Sequence, residues 1–345
     1  MNQKPFIRSG RYYNDEHDSI LFRLKNVGRM IWRAIKLEFK GKRSKQILAQ
    51  KNFFIKEWTV QQPLLAKSQE PVITWLGHAT FLVQVGGFNI LTDPVFFDIS
   101  VFAKRLIPAP IHPDQLPAID AIIISHNHKD HVDEKTLALL LKHQPLMGVP
   151  MGTAKWFLAK GFTRVEELMW WNAVTLEKLN QTLTLTFLPA SHWTGRSLLD
   201  INKSLWGSWM IACNNFNGYF AGDTAYAGHF KKIGQAFPSI DVALMPIGPN
   251  EPRDLMYDSH VNAEEALQGF LDLNARHFIP MHWGTFIFGL DSFILPIERI
   301  MKAWGIGKMN KTAAKLHIVK MGQILQIPTA DSSSVDMYPP HPKQV

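Results

Sequence analysis

Few folds accommodate a short apolar run that ends in a cluster of metal-ligand side chains and leads directly into a helix. In this 345-residue chain the segment AIIISHNHKDHVDEKTLALLL, residues 121 to 141, places three histidines and one aspartate within six positions. The apolar run is typical of a buried strand, and Asp133 is a suitable N-cap for the helical pattern that follows. The cluster is therefore predicted to lie on a strand-to-helix loop, where layered α/β folds place their active sites.

The spacing within the cluster suits two metal ions. His126 and His128 are two residues apart in extended backbone, so both side chains can point to one side and bind the same ion. After the chain turns through Lys129, Asp130 and His131 can face a second ion. Imidazole and carboxylate ligands without cysteine suit zinc best, with iron or manganese as alternatives. A lone histidine would be an ordinary structural residue, whereas H-x-H-x-D-H between a strand and a helix predicts a metal site.

Three further apolar runs end in ligand-type residues. His192 follows LTLTFLPAS, Asp223 follows GYFAG, and His282 follows HFIPM. The ends of neighbouring strands converge on one edge of a layered α/β fold. We therefore expect these three side chains to meet the 126–131 loop in space.

Strand and helix patterns mix along the chain from Val72 onward, which favours an α/β layered architecture. VITWLGHATFLVQVGGFNILTDP predicts a strand, a turn at Gly77 and a hairpin. Further strands are predicted at Ala121–Ser125, near Met147–Val149, and at Leu183–Leu188, Ser208–Ala212, Tyr219–Phe220, Val242–Pro246 and His277–Pro280. Helices are predicted at Asp133–Lys142, Thr153–Lys160, Asn262–Leu273 and Ser292–Trp304. We expect one domain at 67–327 and a Pro- and Ser-rich, poorly ordered tail at 328–345.

The net charge of +8 comes from the first sixty residues, which carry fourteen Lys and Arg against five Asp and Glu, a charge of +9, while the remaining residues sum to about −1. Residues 1–66 are therefore predicted to form a basic arm. Its segment SILFRLKNVGRMIWRAIKLEFKGKR has helical periodicity, with apolar and basic residues on separate stripes. The apolar stripe comprises Ile20, Leu24, Val27, Ile31 and Ala34 or Ile35, and the basic one Lys25, Arg29, Arg33, Lys36 and Lys40. Such a helix either lies in an anionic membrane interface or packs on the domain with its basic face solvated. No nucleic-acid motif accompanies the charge.

The sequence contains neither the pattern of a secretory signal nor an apolar stretch long enough to span a bilayer. Its single cysteine, Cys213, lies in an apolar run and is expected to be a buried hydrophobe. A cytoplasmic protein is expected, peripheral on the inner face of a membrane if the arm binds lipid.

The predicted ligands resemble the metal-binding set of the metallo-β-lactamase superfamily, and the resemblance extends over roughly 71–327. It implies a four-layer αββα sandwich with a dinuclear centre, here two Zn²⁺ per chain. One ion would be held by His126, His128 and His192, the other by Asp130, His131 and His282, with Asp223 bridging. All seven positions carry a ligand-type residue.

A narrower resemblance depends on WLGHATFLVQVGGFNILTDPVF, ASHWTGR, GDTAY, IGPNEPRDLMYDSHVNAEEAL and MHWGTF. Together these segments resemble the N-acylphosphatidylethanolamine-hydrolysing phospholipase D group, whose members associate with membranes. The resemblance implies hydrolysis of N-acylphosphatidylethanolamine, or a related phospholipid, to phosphatidic acid and an N-acylethanolamine. The arm shares no motif with the animal members of the group.

Roles for individual residues follow from the motifs and this resemblance. Asp130, Asp223 and His260 are predicted to be catalytic, with Asp130 also able to accept a proton from the attacking water. His260 and Asn127 are predicted to bind substrate, although Asn127 equally suits an orientation away from the metals. Candidate phosphate partners are Arg196 and Arg253, for which structural ion pairs are the alternative. Candidate residues for orienting the ligands are His78, Thr80 and Asp93. The alternative for His78 and Thr80 is that they only satisfy turn backbone, and for Asp93 that it is structural.

The sequence is also compatible with two other functions. One is a soluble hydrolase of the same fold that acts on a sugar-phosphate lactone or another small ester. The other is a membrane-surface binding protein whose metal site is only structural, since structural zinc sites are usually mononuclear and closed. The expected partners are a phospholipid substrate and an anionic membrane surface, and a homodimer is compatible with the sequence.

Overall fold

The computed structural model describes residues 4–39, 51–60, 68, 70–100, 103–307, 309 and 313–328, except for several side chains of the N-terminal helix. The predicted tail therefore lies outside the described residues apart from Pro328, as do 1–3, 40–50 and 61–66 of the predicted arm. The undescribed side chains include Val27, Ile31 and Ala34 of the predicted apolar stripe.

One seven-stranded sheet comes mainly from the first half of the domain. Its strands are β3 (Val72–Gly77), β4 (Thr80–Val85), β5 (Phe88–Thr92), β6 (Ala121–Ile123), β7 (Leu146–Pro150), β8 (Val165–Leu168) and β16 (Ile324–Gln326), in the order β16-β3-β4-β5-β6-β7-β8. Strands β3 and β4 and strands β4 and β5 pair antiparallel, whereas β5 through β8 run parallel. The final strand returns to pair with β3, so the C-terminal end of the domain closes this sheet.

The second seven-stranded sheet comes from the second half. Its strands are β9 (Ala173–Lys178), β10 (Gln181–Leu188), β11 (Ser208–Cys213), β12 (Phe216–Phe220), β13 (Ile240–Pro246), β14 (Ala275–Met281) and β15 (Lys315–Leu316), which neighbour one another in sequence order. Strands β9 to β12 pair antiparallel, and β12 to β15 pair parallel.

Alternation of buried side chains shows why the two sheets stack. In β6, Ala121 and Ile123 belong to the large core that also contains Phe187 and Trp209 of the second sheet, whereas Ile122 faces a separate apolar cluster. That second cluster lies under α3 (Glu134–Leu140) and α4 (Ala154–Ala159). A strand that is apolar on both faces needs a covering layer on each side, so the sheet is a buried middle layer.

Helices cover the outer face of the second sheet. They are α5 (His229–Ala236), α7 (Ala263–Leu273) and α8 (Leu295–Ile306), which pack on one another and place their buried residues in the large core. The short helix α6 (Arg253–Met256) precedes α7. Two sheets between two helical layers give the four-layer αββα sandwich, which confirms the predicted fold class.

Residues predicted from sequence start the helices that flank the site. Asp133 caps α3 by accepting hydrogen bonds from the backbone of Lys135 and Thr136. Asn262 caps α7 in a capping box with Glu265. Helix α5 and the edge strands β8 and β9 were not predicted.

The N-terminal part forms a two-stranded ribbon, β1 (Phe6–Arg8) and β2 (Arg11–Tyr13), followed by α1 (Ile20–Phe39); residues 51–58 form a further helix, α2. Periodicity correctly predicted α1. However, the polar residues Arg23 and Asn26 are buried, whereas Leu21, Trp32 and Ile35 are exposed by 78%, 61% and 50%. Among described side chains, much of the apolar surface of α1 therefore faces away from the protein.

Candidate metal centre

The candidate ligands lie where strands of both sheets end at one edge of the sandwich. His126, His128, Asp130 and His131 follow β6, His192 follows β10, Asp223 follows β12, and His282 follows β14. Because β5 and β6 run parallel, as do β12 to β14, their carboxyl ends lie on a common side. All seven side chains of the predicted ligand set therefore meet in one cluster.

Three ring nitrogens form the first subcluster. Nε2 of His126 lies 2.9 Å from Nδ1 of His128, which lies 3.4 Å from Nε2 of His192. A single hydrogen bond cannot satisfy three converging acceptor-type nitrogens, whereas a cation at their centre would satisfy all of them. This is the trio predicted to hold one ion.

The second subcluster contains Asp130, His131, His282 and, in addition, His78. The Oδ2 atom of Asp130 lies 3.5 Å from Nε2 of His131, 3.9 Å from Nε2 of His282 and 3.2 Å from Nε2 of His78. His78 is fully buried, and burial followed by the charge of His282 lowers its pKa to about 3. The neutral ring of His78 is thus suited to orient Asp130 through an N–H donor.

Asp223 lies between the two subclusters. Its Oδ1 is 3.1 Å from Nε2 of His282, and its Oδ2 is 3.3 Å from Nε2 of His131 and 3.8 Å from Nε2 of His192. Burial raises the pKa of this carboxyl group, but the rings of His282 and His131 outweigh burial and hold it well below its usual range. A carboxylate with one oxygen toward each subcluster has the arrangement of a bridging ligand.

Buried atoms without hydrogen-bond partners test whether this cluster suits a metal. Among the described residues they include Nε2 of His131 and His282, Oδ1 of Asp223 and Nδ1 of His260. Buried polar atoms are seldom left unsatisfied, and a cation bound within the cluster would satisfy these. The residues present therefore fit a metal centre.

Hydrogen bonds to the opposite ring nitrogen fix several tautomers. His131 donates from Nδ1 to Asp93 over 2.6 Å, His192 from Nδ1 to the carbonyl of Ser259 over 2.7 Å, and His282 from Nδ1 to the carbonyl of Gly248 over 3.0 Å. Each ring then turns its Nε2 lone pair toward the cluster.

Lowered pKa values keep the rings of the first subcluster in the neutral form that binds metal. Burial, reinforced by neighbouring rings, lowers the pKa of His126 and His192 well below the usual value. For His128, burial lowers the pKa to about 4. His131 differs, because the carboxylates of Asp223 and Asp130 outweigh burial and raise its pKa well above the usual value. A divalent cation would take the place of that proton between the two carboxylates.

Comparison with known proteins agrees with the fold and identifies the family. A family model described as a β-lactamase superfamily domain matches residues 88–283, more than half of the chain. The chain is 35% identical over 264 residues to N-acyl-phosphatidylethanolamine-hydrolyzing phospholipase D 1 of Caenorhabditis elegans, covering 73% of this chain and 74% of that protein. It is 36% identical over 242 residues to the mitochondrial N-acyl-phosphatidylethanolamine-hydrolyzing phospholipase D of Saccharomyces cerevisiae, covering 67% of this chain and 52% of that protein.

The chain belongs to the N-acyl-phosphatidylethanolamine-hydrolysing phospholipase D family of the metallo-β-lactamase superfamily. It is a metal-dependent hydrolase of phospholipase D type. Its fold resembles that of Igni18, a metallo hydrolase of Ignicoccus hospitalis, with a TM-score of 0.57 at 22% identity over 74% of this chain and 97% of that chain. At this identity the structural likeness shows the fold alone.

Asp93 directly follows β5 and holds the 126–131 loop of this phospholipase D-type hydrolase in place. Its carboxylate accepts hydrogen bonds from the backbone N–H and hydroxyl of Ser125 at 2.7 and 2.5 Å, as well as from His131. Thr80 was predicted beside it as a supporting residue, and its hydroxyl donates to the carbonyl of Asp93 over 2.7 Å. The carboxylate thus connects β5 to a predicted metal ligand.

His260, Asp130 and His128 are the more open members of the cluster. The side chains of His260 and Asp130 are 16% and 18% exposed, against at most 2% for Asp223 and His282. Nδ1 of His260 lies 3.7 Å from Oδ2 of Asp223, and burial lowers the pKa of His260 to about 4. These half-buried side chains therefore form the part of the cluster that is open to solvent.

Both arginines considered as phosphate partners are engaged within the protein. Arg196 donates to the carbonyls of Asn127 and Val132 and pairs with Glu134 at 3.3 Å. Arg253 donates to the carbonyl of His260 over 2.7 Å and pairs with Glu265. The structural ion pairs are thus the arrangement observed for both.

Asn127 connects the 126–131 loop to the segment that carries His192. Its Oδ1 accepts a hydrogen bond from the backbone N–H of Gly195 over 2.9 Å. The side-chain oxygen is therefore occupied by a loop contact, and substrate binding by Asn127 stays a prediction.

Proposed function

We propose that this phospholipase D-type hydrolase cleaves N-acylphosphatidylethanolamine, or a closely related phospholipid, to phosphatidic acid and an N-acylethanolamine. The observation that carries the proposal is the seven-residue metal-ligand cluster, open on one side, in a chain whose relatives are named for hydrolysis of that lipid.

We further propose that the centre holds two zinc ions. His126, His128 and His192 would bind one ion, Asp130, His131 and His282 the other, and Asp223 both. When bound, such a pair lowers the pKa of a coordinated water and polarises phosphoryl oxygens.

The chain's own residues would orient the substrate and move protons. His78 and Asp93 hold Asp130 and His131 in place, and the carboxylate of Asp130 accepts a proton from the attacking water. The water oxygen bonds to phosphorus, and the bond from phosphorus to the ethanolamine oxygen breaks. The proton held by Asp130 passes to that oxygen, so the alcohol leaves and the carboxylate is restored. His260, neutral at physiological pH and partly exposed, would donate an N–H to a phosphate oxygen.

The proposed partner surface is an anionic bilayer, with the protein on the inner face of the membrane. No helix among the described residues is long and apolar enough to cross a bilayer. Exposed apolar side chains of α1 lie on the same helix as Lys25 and Lys36, and Leu198 and Leu199, 78% and 80% exposed, follow the segment that carries His192. Apolar side chains beside cationic ones suit an interfacial position.

Product analysis by mass spectrometry tests the reaction. The zinc-loaded protein is mixed with vesicles containing N-acylphosphatidylethanolamine in H₂¹⁸O. We expect one ¹⁸O atom in phosphatidic acid and none in the N-acylethanolamine, because water attacks phosphorus. His128→Ala and Asp223→Asn should reduce product to background, whereas Asp114→Asn, on an exposed side chain, should leave it unchanged.

Other results would exclude the proposal. Label in the N-acylethanolamine would mean that a carbon–oxygen bond breaks instead. Hydrolysis of a soluble phosphate lactone or ester without cleavage of the lipid would favour the soluble hydrolase. A single tightly held ion with no hydrolysis would favour a structural metal site.

A further inference from the structure

Residues 11–14 lie across the segment that carries His192. The backbone N–H of Tyr12 donates to the carbonyl of Asn202 over 2.8 Å, and the guanidinium of Arg11 donates to the carbonyl of Ile201. Asn202 in turn exchanges hydrogen bonds with Thr194, two residues beyond His192. The N-terminal segment is thus in direct contact with the segment that carries the predicted ligand His192.

Asn14 contacts the backbone of the ligand itself. Its Nδ2 donates to the carbonyl of His192 over 3.0 Å, and its Oδ1 accepts from the N–H of the same residue over 3.1 Å. Both polar groups of His192's main chain are satisfied by one planar amide from 178 residues away. On the ring, Nδ1 donates to the carbonyl of Ser259. Backbone and ring are thus held by separate partners, and Nε2 points to the first subcluster.

A buried ion pair holds Asn14 in turn. Its backbone N–H and Nδ2 both donate to Oδ2 of Asp18, at 3.2 and 3.0 Å. Asp18 pairs with Arg23 through two hydrogen bonds of 3.0 and 2.7 Å, and the two side chains are 8% and 6% exposed. Buried bidentate pairs of this kind are geometrically specific. The pair therefore fixes which way the amide of Asn14 faces.

The sheet cannot provide this support. His192 lies in the interval between the end of β10 at Leu188 and the start of β11 at Ser208, which contains neither helix nor strand. Its main chain has no ladder partner, so its position depends on contacts from elsewhere in the chain.

We propose that the N-terminal segment completes the catalytic centre and that Asn14 is a positioning residue, which aims Nε2 of His192 at a bound metal ion. This inference depends on the proposed function only in taking the cluster as a metal centre. The Asp18–Arg23 pair acts through Asn14.

Metal affinity measures this role directly. Asn14→Ala removes both hydrogen bonds to His192, and Asn14→Asp keeps the acceptor, loses the donor and places a second carboxylate beside Asp18. Partners that orient metal ligands typically contribute about 10- to 100-fold to affinity. We expect zinc to bind either variant about 10- to 100-fold more weakly in competition with a chromophoric chelator. The d–d absorption of the cobalt-substituted protein should change as well.

Asp254→Asn is the matched control. It breaks the exposed ion pairs that Arg29 and Arg33 of α1 make with Asp254, at 2.9 and 2.8 Å, and does not touch Asn14. Its zinc affinity and cobalt spectrum should equal those of the parent. Thermal unfolding of the metal-free proteins identifies any variant that fails to fold, in which case the other Asn14 variant decides.

Two results would overturn the inference: zinc affinity of both Asn14 variants within about twofold of the parent's, or an equal loss in the Asp254 variant. A parent protein that binds zinc but does not cleave N-acylphosphatidylethanolamine would count against the proposed function alone.

Discussion

Asp93 shows how much of a metal centre depends on side chains that face away from the ion. Its two oxygens receive three hydrogen bonds, two from Ser125 and one from Nδ1 of His131. All three partners donate, so a carboxylate satisfies them and an amide cannot.

We expect Asp93→Asn to weaken zinc binding and to lower kcat/KM by about 10- to 100-fold. The amide nitrogen would meet a donor from Ser125 or His131, so His131 would lose its fixed tautomer. Zinc content after dialysis and initial rates measure the effect. Asp114→Asn, at an exposed ion pair, serves as the control, and an Asp93 variant with full zinc content and rate would contradict the role.

Gly222 precedes the bridging carboxylate at a position that excludes other residues. Its φ of +59° is left-handed, and an added Cβ would lie 2.5 Å from Cβ of Ser125 and 2.9 Å from the carbonyl oxygen of Gly207. The end of β12 can therefore approach Ser125, which precedes the 126–131 loop, only if residue 222 is glycine.

Gly222→Ala should lower the free energy of unfolding by about 1 to 3 kcal/mol, the usual range for overpacking a tight site. It should also reduce activity, because Asp223 would be displaced from both subclusters. Urea unfolding and rate measurements check this. Gly228→Ala is the control, since nothing lies within 4 Å of its added Cβ. Equal stability of the two variants would contradict the argument.

Helices and strands were predictable where their apolar residues follow the regular pattern of a buried helix or strand. Strands β6 and β7 and residues Val242–Pro246 of β13 are continuous apolar runs, and α3 and α7 begin at recognisable caps. The edge strand β9 alternates exposed and half-buried residues and resembles a surface loop in sequence. Periodicity alone predicts that α1 is a helix, but the direction of its faces depends on the Arg23–Asp18 pair.

Substitution of exposed residues of α1 tests its proposed contact with lipid. We expect Trp32→Glu combined with Leu21→Glu to reduce sedimentation with anionic vesicles, because two apolar anchors become anionic. Thermal stability should not change, since both side chains are exposed. Met301→Glu on α8, exposed by 57%, is the matched control. Unchanged sedimentation of the double variant would remove α1 from the membrane contact.

For the whole molecule, the sequence predicted the ligand types but not how their positions are fixed. The motif of 126–131 and the strand-end positions of His192, Asp223 and His282 are visible in the sequence. Their hydrogen-bond partners are not, because Asn14 and Ser259 meet His192 from 178 and 67 residues away. Such pairings arise only when both sheets and the N-terminal segment have packed together.

A buried pair outside the metal centre contributes to the dependence of stability on acid pH. Nδ1 of His277, in β14, lies 2.8 Å from Nε2 of His317, which follows β15. Burial, with smaller effects of Lys315 and Arg276, lowers the pKa of His277 to about 4. Burial, followed by the charges of His277 and Lys315, lowers that of His317 to about 3. An unfolded histidine has a pKa of about 6.5.

Between about pH 6.5 and pH 4 the unfolded chain therefore binds more protons than the folded protein at these rings. The contribution of the two neutral rings to the free energy of unfolding is complete above pH 6.5. It decreases as the pH falls, by up to about 1.4 kcal/mol per pH unit for each ring.

His317→Gln removes one of these rings and should make the pH dependence of the unfolding free energy shallower by up to about 1.4 kcal/mol per pH unit. Urea unfolding of the metal-free proteins from pH 7 to pH 5 measures the difference, because the variant and the parent share all other titrating groups. His112→Gln, on an exposed side chain, is the control. If the curves of the parent and His317→Gln run parallel, the pair does not govern acid stability.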